Sequence, residues 1–166
     1  MLTVTLLLCA MMALTGAAGN SQQISIQVHS PCPPHWSKIN GRCFRYFPAA
    51  LSWAKAERYC QSMGGNLASV HNIEEYCAIQ RLILKTSHED TSAWIGGSDA
   101  EEEHVWLWSD GSSFTYTNWH PGQPDNNFFR QHCIRINYGG PKAWDNLLCT
   151  DHLPFVCAKK MWQSHV

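Results

Sequence analysis

Cysteine content constrains this chain more than any other feature, because eight cysteines stand in 166 residues. The first, Cys9, falls in a segment that reads as an export signal. Residues 1–19 hold Leu6-Leu7-Leu8, Met11-Met12 and the small-residue stretch Gly16-Ala17-Ala18-Gly19, with no Asp, Glu, Lys or Arg. Its apolar core is too short to span a bilayer, and cleavage is expected near Ala18 or Gly19. Seven cysteines then remain: Cys32, Cys43, Cys60, Cys77, Cys133, Cys149 and Cys157. They predict an oxidising compartment and a stapled fold. An odd number leaves one over, and for each choice of that residue the other six pair in fifteen ways, so spacing alone does not choose the framework.

Removing 19 of 166 residues leaves 147, enough for one domain with a substantial core. Residues 20–31 read as a short flexible lead-in ending at Pro31, residues 32–160 as the domain, and residues 161–166 as a tail. A net charge of −1 gives no basic footprint for nucleic acid and no polybasic patch for anionic lipid. No later segment approaches a membrane span, so the product is expected to be soluble and extracellular.

Cys43-Phe44-Arg45-Tyr46-Phe47 carries strand composition after an Asn40-Gly41 turn, and a Cys32 to Cys43 bridge would close that hairpin. Trp53, Ala56, Cys60 and Met63 recur with helical period up to the stop signal Gly64-Gly65. A second helix is predicted from Asn72, where Asn72 and Glu75 have capping-box spacing, through Ile73, Tyr76, Ile79 and Ile83 to about Lys85. Strands follow at Ala93–Gly97, Val105–Trp108, Cys133–Asn137 and Phe155–Cys157. Between the second and third of these runs a long Gly, Ser, Asn and Pro-rich stretch, of the kind that usually carries function. The class is α+β.

Gln123-Pro124-Asp125 lies in that stretch, and Trp144-Asp145-Asn146 precedes Cys149. Both triplets set short oxygen-bearing side chains beside a rigid residue, which suits a hard cation. Together with Trp94-Ile95-Gly96-Gly97 and Phe155-Val156-Cys157, these motifs resemble the C-type lectin domain from Cys32 to about Lys159. The likeness is strongest to small secreted lectins of teleost fish and the related type II antifreeze proteins.

The resemblance implies bridges Cys32 to Cys43, Cys60 to Cys157 and Cys133 to Cys149, with Cys77 left over. It also implies a calcium site made by Gln123, Asp125, Gln131, Asp145 and Asn146. There the ion and the side chains of Gln123, Asp125, Asp145 and Asn146 hold vicinal sugar hydroxyls. The Gln-Pro-Asp order resembles galactose-type sites, and Phe128 and Phe129 are candidates to pack on the sugar ring; Trp119 reads as core. Two positions depart from the family pattern. Gln131 stands where the family has Glu, and Asp145-Asn146 inverts the usual Asn-Asp, so the carboxylates fall from three to two. Weakened calcium binding is expected.

Glu101-Glu102-Glu103 reads as a solvated charge run, and His120 and His132 as isolated surface histidines without a zinc spacing. No nucleophile elbow or phosphate loop is present, so an enzyme is not expected. Two functions compete. One is a secreted lectin for glycans ending in galactose-type sugars, acting in innate recognition or agglutination. The other is a calcium-independent ice-binding or protein-binding module on the same scaffold. Cys77, at the edge of the second helix's apolar stripe, is expected to be partly exposed and to link a homodimer.

Overall fold

A computed structural model describes residues 32–127 and 130–161. The expected signal, lead-in and tail, together with Phe128 and Phe129, lie outside the described residues, apart from Met161. The elements are β1 Ser37–Ile39, β2 Arg42–Leu51, α1 Trp53–Ser62, β3 Asn66–Leu67, α2 Ile73–Ser87, β4 Ala93–Ser98, β5 Leu107–Trp108, β6 Gln131–Tyr138, β7 Ala143–Leu148 and β8 Leu153–Lys160. The sheet runs β1-β2-β8-β4-β6-β7, with β3 added to β8 and β5 to β4. Every pairing is antiparallel except that of β4 with β8, which matches Trp94 to Phe155.

Period-two alternation gives the sheet two buried faces. Phe44, Tyr46, Ile95, Val156 and Ala158 pack with Tyr76, Ile79 and Ile83 of α2. Cys43, Phe47, Trp94, Phe155 and Cys157 pack with Ala56 and Cys60 of α1. Each helix therefore covers one face. Gly96 is required by closeness to backbone rather than by turn geometry, and Gly97 abuts the Ile134 side chain. A Cβ on Gly96 would lie 2.6 Å from Leu67 O, and one on Gly97 2.3 Å from Ile134 Cδ1.

The three bridges implied by the resemblance are formed: Cys32–Cys43, Cys60–Cys157 and Cys133–Cys149. The second closes the longest loop, with a separation of 97 residues, and so ties α1 to β8. On the chain-entropy account, loops of about 100 residues gain roughly 4.7 kcal/mol.

The helices begin and end close to expectation. Asn72 caps α2 by accepting from Glu75 N at 2.8 Å. The reciprocal half of the capping box is absent, because Glu75 Oε2 accepts from His71 N and from Arg42 Nη2 instead. Arg42 also reaches Ser69 Oγ and Ser69 O, so one guanidinium fastens the start of α2 to β2. Ile73 does not join the core and is 40% exposed. The partial exposure expected for Cys77 is not found either: its side chain is 7% exposed. The hairpin turn at Asn40-Gly41 has positive φ at both residues, as its sequence predicts. β2 extends beyond the Phe47 limit to Leu51, whereas only Leu107 and Trp108 of the Val105–Trp108 run pair as a strand.

Candidate functional site

The long segment between β5 and β6 returns across the end of the sheet and is pinned to β7 through Trp144. Trp144 N donates to Asn118 O and His120 N to Trp144 O, each at 2.8 Å. Trp144 is fully buried, with Trp108, Tyr116 and Trp119 set edge-on around it. Trp119 is half-buried against the core, in keeping with the sequence reading. The segment then turns through a cis Gln123–Pro124 peptide.

Four of the five ligands implied by the resemblance are joined by hydrogen bonds. Asp125 N donates to Gln123 Oε1 at 3.0 Å and to Asn146 Oδ1 at 3.2 Å. Asn146 Nδ2 donates to Gln131 O at 2.8 Å, and Asn127 N donates to Gln131 Oε1 at 2.8 Å and Asp125 Oδ1 at 3.2 Å. Loop and strand thus converge on one place, although Gln123 and Asn146 are far apart in the chain. Asn146 is fully buried, Gln123 and Gln131 are half-buried, and Asp125 is exposed.

The fifth residue, Asp145, is engaged differently. β6 pairs Arg135 with Asp145, and Arg135 Nε and Nη2 reach Asp145 Oδ2 at 2.7 and 2.6 Å. The guanidinium also lies 4.6 Å over the Tyr138 ring. Burial pushes the Asp145 carboxyl above its ordinary range and the Asp125 charge adds to this, while Arg135 and His120 pull against it. Sequence reasoning missed Arg135. Its only signal was a charge between Ile134 and Ile136 in a strand whose partner register was unknown.

The donor chemistry fits calcium. Gln123, Asp125, Gln131, Asp145 and Asn146 all offer oxygen, which is what this ion takes. Charge is the weak point, since only Asp125 and Asp145 are carboxylates and Arg135 already answers one of them.

A second cluster corrects two sequence expectations. His132 is not isolated: its Nδ1 lies 3.1 Å from Asp99 Oδ1 and 3.7 Å from Glu103 Oε2. Glu103 is not merely solvated, because Asn126 Nδ2 donates to its Oε2 at 2.5 Å. Asp99, 2% exposed, also accepts from His104 N, and Asn126 Oδ1 accepts from Gln131 N. Glu101 and Glu102 remain exposed. This chain of contacts braces the turn after Asp125 from behind and makes Asn126, at 9% exposure, an internal residue.

The Lectin C-type domain family matches residues 49–159. The galactose-specific lectin nattectin of Thalassophryne nattereri is 42% identical over 148 residues, covering 89% of this chain and 92% of that protein. A type-2 ice-structuring protein of Osmerus mordax is 41% identical over 161 residues, covering 93% and 90%. Among solved structures, the herring type II antifreeze protein superposes with a TM-score of 0.74 at 37% identity, over 79% of this chain and 100% of that one.

Proposed function

The chain belongs to the C-type lectin family, and on that premise we propose that it is an exported carbohydrate-binding lectin of the galactose type, dependent on calcium. The family binds rather than catalyses, and the chain is not an enzyme. Among the described residues no helix is long and apolar enough to cross a membrane. Export is read from residues 1–19.

The observation that carries the proposal is the convergence of Gln123, Asp125, Gln131 and Asn146 through the bonds from Asp125 N to Asn146 Oδ1 and from Asn146 Nδ2 to Gln131 O. With Asp145 these residues would hold the ion. Bound calcium would supply a Lewis-acidic centre that accepts vicinal sugar hydroxyls as ligands. Asp125 directs one carboxylate oxygen to Asn127 N, leaving the second to accept from a sugar hydroxyl. Gln123 turns its oxygen to Asp125 N, which leaves its amide NH2 to donate. Phe128 and Phe129 follow on the chain and are the sequence's candidates for packing on the sugar ring. The similarity to a galactose-specific lectin supports that specificity.

A second reading is ice binding, supported by relatives named as ice-structuring proteins at nearly the same identity. Galactose-agarose retention separates the two. Retention lost on adding EDTA or free galactose is expected; no retention, with thermal hysteresis of the purified protein, would establish the second reading instead.

A further inference from the structure

We propose that Arg135 sets the cation affinity of this site by holding Asp145 against the incoming ion. The proposal rests on the reading that the Gln123 to Asn146 constellation is the cation and glycan site. Its basis is the pairing of β6 with β7. Arg135 and Asp145 face each other in register, and both Nε and Nη2 close on the same oxygen, Oδ2, at 2.7 and 2.6 Å. The Asp145 side chain is 5% exposed and that of Arg135 22%. The pair is therefore largely out of water, where its attraction is poorly screened.

Three features make this more than a surface ion pair. Tyr138 backs the guanidinium at 4.6 Å, so Arg135 is positioned before any ligand arrives. Arginine stays charged at every physiological pH, and its planar fork loses little freedom in forming the pair. The site has only one other carboxylate, Asp125, so answering Asp145 halves the negative charge open to an ion. An ion drawn to Asp145 must share the carboxylate with a fixed positive charge. Even at the dielectric of water, a unit charge a few ångströms from a divalent ion is worth about a factor of ten in affinity. The site accordingly belongs with those that fill only at calcium levels of roughly 0.1–1 mM, typical of extracellular modules. Arg135 is a positioning residue, acting on the ion through Asp145.

Calorimetric calcium titration of the purified protein tests this. Arg135→Gln keeps hydrogen-bond donors near Asp145 but removes the charge, and calcium affinity should rise about tenfold or more. Arg135→Lys keeps the charge and should stay within about twofold of the parent, a contrast that a purely structural role for Arg135 would not produce. Adding Asp125→Ala to Arg135→Gln should erase the gain, which fixes the ion at this site. Arg135→Thr carries the same expectation as Arg135→Gln should the latter not fold. A folded neutral variant that binds calcium no more tightly than the parent overturns the proposal. So does a gain that survives Asp125→Ala. Galactose retention is read separately. Tighter calcium binding without sugar retention upholds the role of Arg135 and overturns the glycan reading. EDTA-sensitive retention with calcium affinity unchanged in the neutral variant overturns the role of Arg135 alone.

Discussion

Replacing Asn146 by Asp changes a single group and is expected to make the stability of the domain depend on calcium. The Asn146 side chain is fully buried, donates from Nδ2 to Gln131 O at 2.8 Å and accepts from Asp125 N at 3.2 Å. Aspartate keeps the acceptor and loses the donor, setting a carboxylate oxygen against a carbonyl oxygen. A buried acceptor left without its donor costs about 1–3 kcal/mol, and an unanswered buried charge adds to that. A loss of roughly 2–4 kcal/mol is therefore expected in EDTA. For a domain of this size ~1 kcal/mol moves Tm by roughly 3–5 °C, so the chelated variant should melt on the order of 6–20 °C below the parent. Calcium held by the site would answer the added charge, and at a hundredfold excess over Kd it would return about 2.7 kcal/mol. Melting followed by circular dichroism, with EDTA and with excess calcium, is the assay. Parent-like melting of Asn146→Asp in EDTA would show that this hydrogen bond does not hold the loop. A calcium response no larger than the parent's would show that geometry, not charge, limits the site. Adding Gln131→Glu and Asp145→Asn restores the family's charge pattern and should raise calcium affinity further. Glutamate at 131 keeps the oxygen that accepts from Asn127 N.

Glu57 lies on α1 at 7% exposure and accepts from Leu67 N, Asn66 Nδ2, Ser109 Oγ and Gln61 Nε2. Glu57→Ala should lower the urea unfolding free energy by about 3 kcal/mol or more, with Glu57→Gln costing less because one acceptor survives. Burial pushes the Tyr76 hydroxyl well above its ordinary 10.0, outweighing the hydrogen bonds that oppose the shift. Its contribution to stability is then intact below pH 10 and lost as pH rises toward the shifted value. Tyr76→Phe should flatten that alkaline decline in a pH series of thermal melts, at a cost of about 1 kcal/mol at neutral pH for the bond to Lys142 O.

The parts of the fold legible in the sequence were those written by neighbours along the chain. Asn40-Gly41 fixed a hairpin, and the period of Trp53, Ala56 and Cys60 with the Gly64 stop fixed α1. Asn72 fixed the start of α2. What stayed hidden depends on register between distant segments. β3 is two residues long and exists because β8 is there to receive it. Trp144-Asp145-Asn146 read as a ligand motif and gave no sign of being the edge strand β7. Arg135 meets Asp145, and His132 meets Asp99, only once β6 is set between its neighbours. The candidate residues could therefore be named from motifs, while the groups that restrain them could not. Cys77 shows the same limit: a helical wheel put it at an edge, and packing took it inside.

The start of β2 and the end of β8 lie side by side, with Arg42 paired to Lys160. Tension applied between the two ends would peel these strands apart. It would be intercepted at the Cys60–Cys157 bridge, which carries the load directly from α1 to β8. Everything between those two cysteines, including the Gln123 loop, β6 and β7, would stay slack. A domain held by its ends in a flowing or sheared medium can thus deform near its tether while the Gln123 loop keeps its shape.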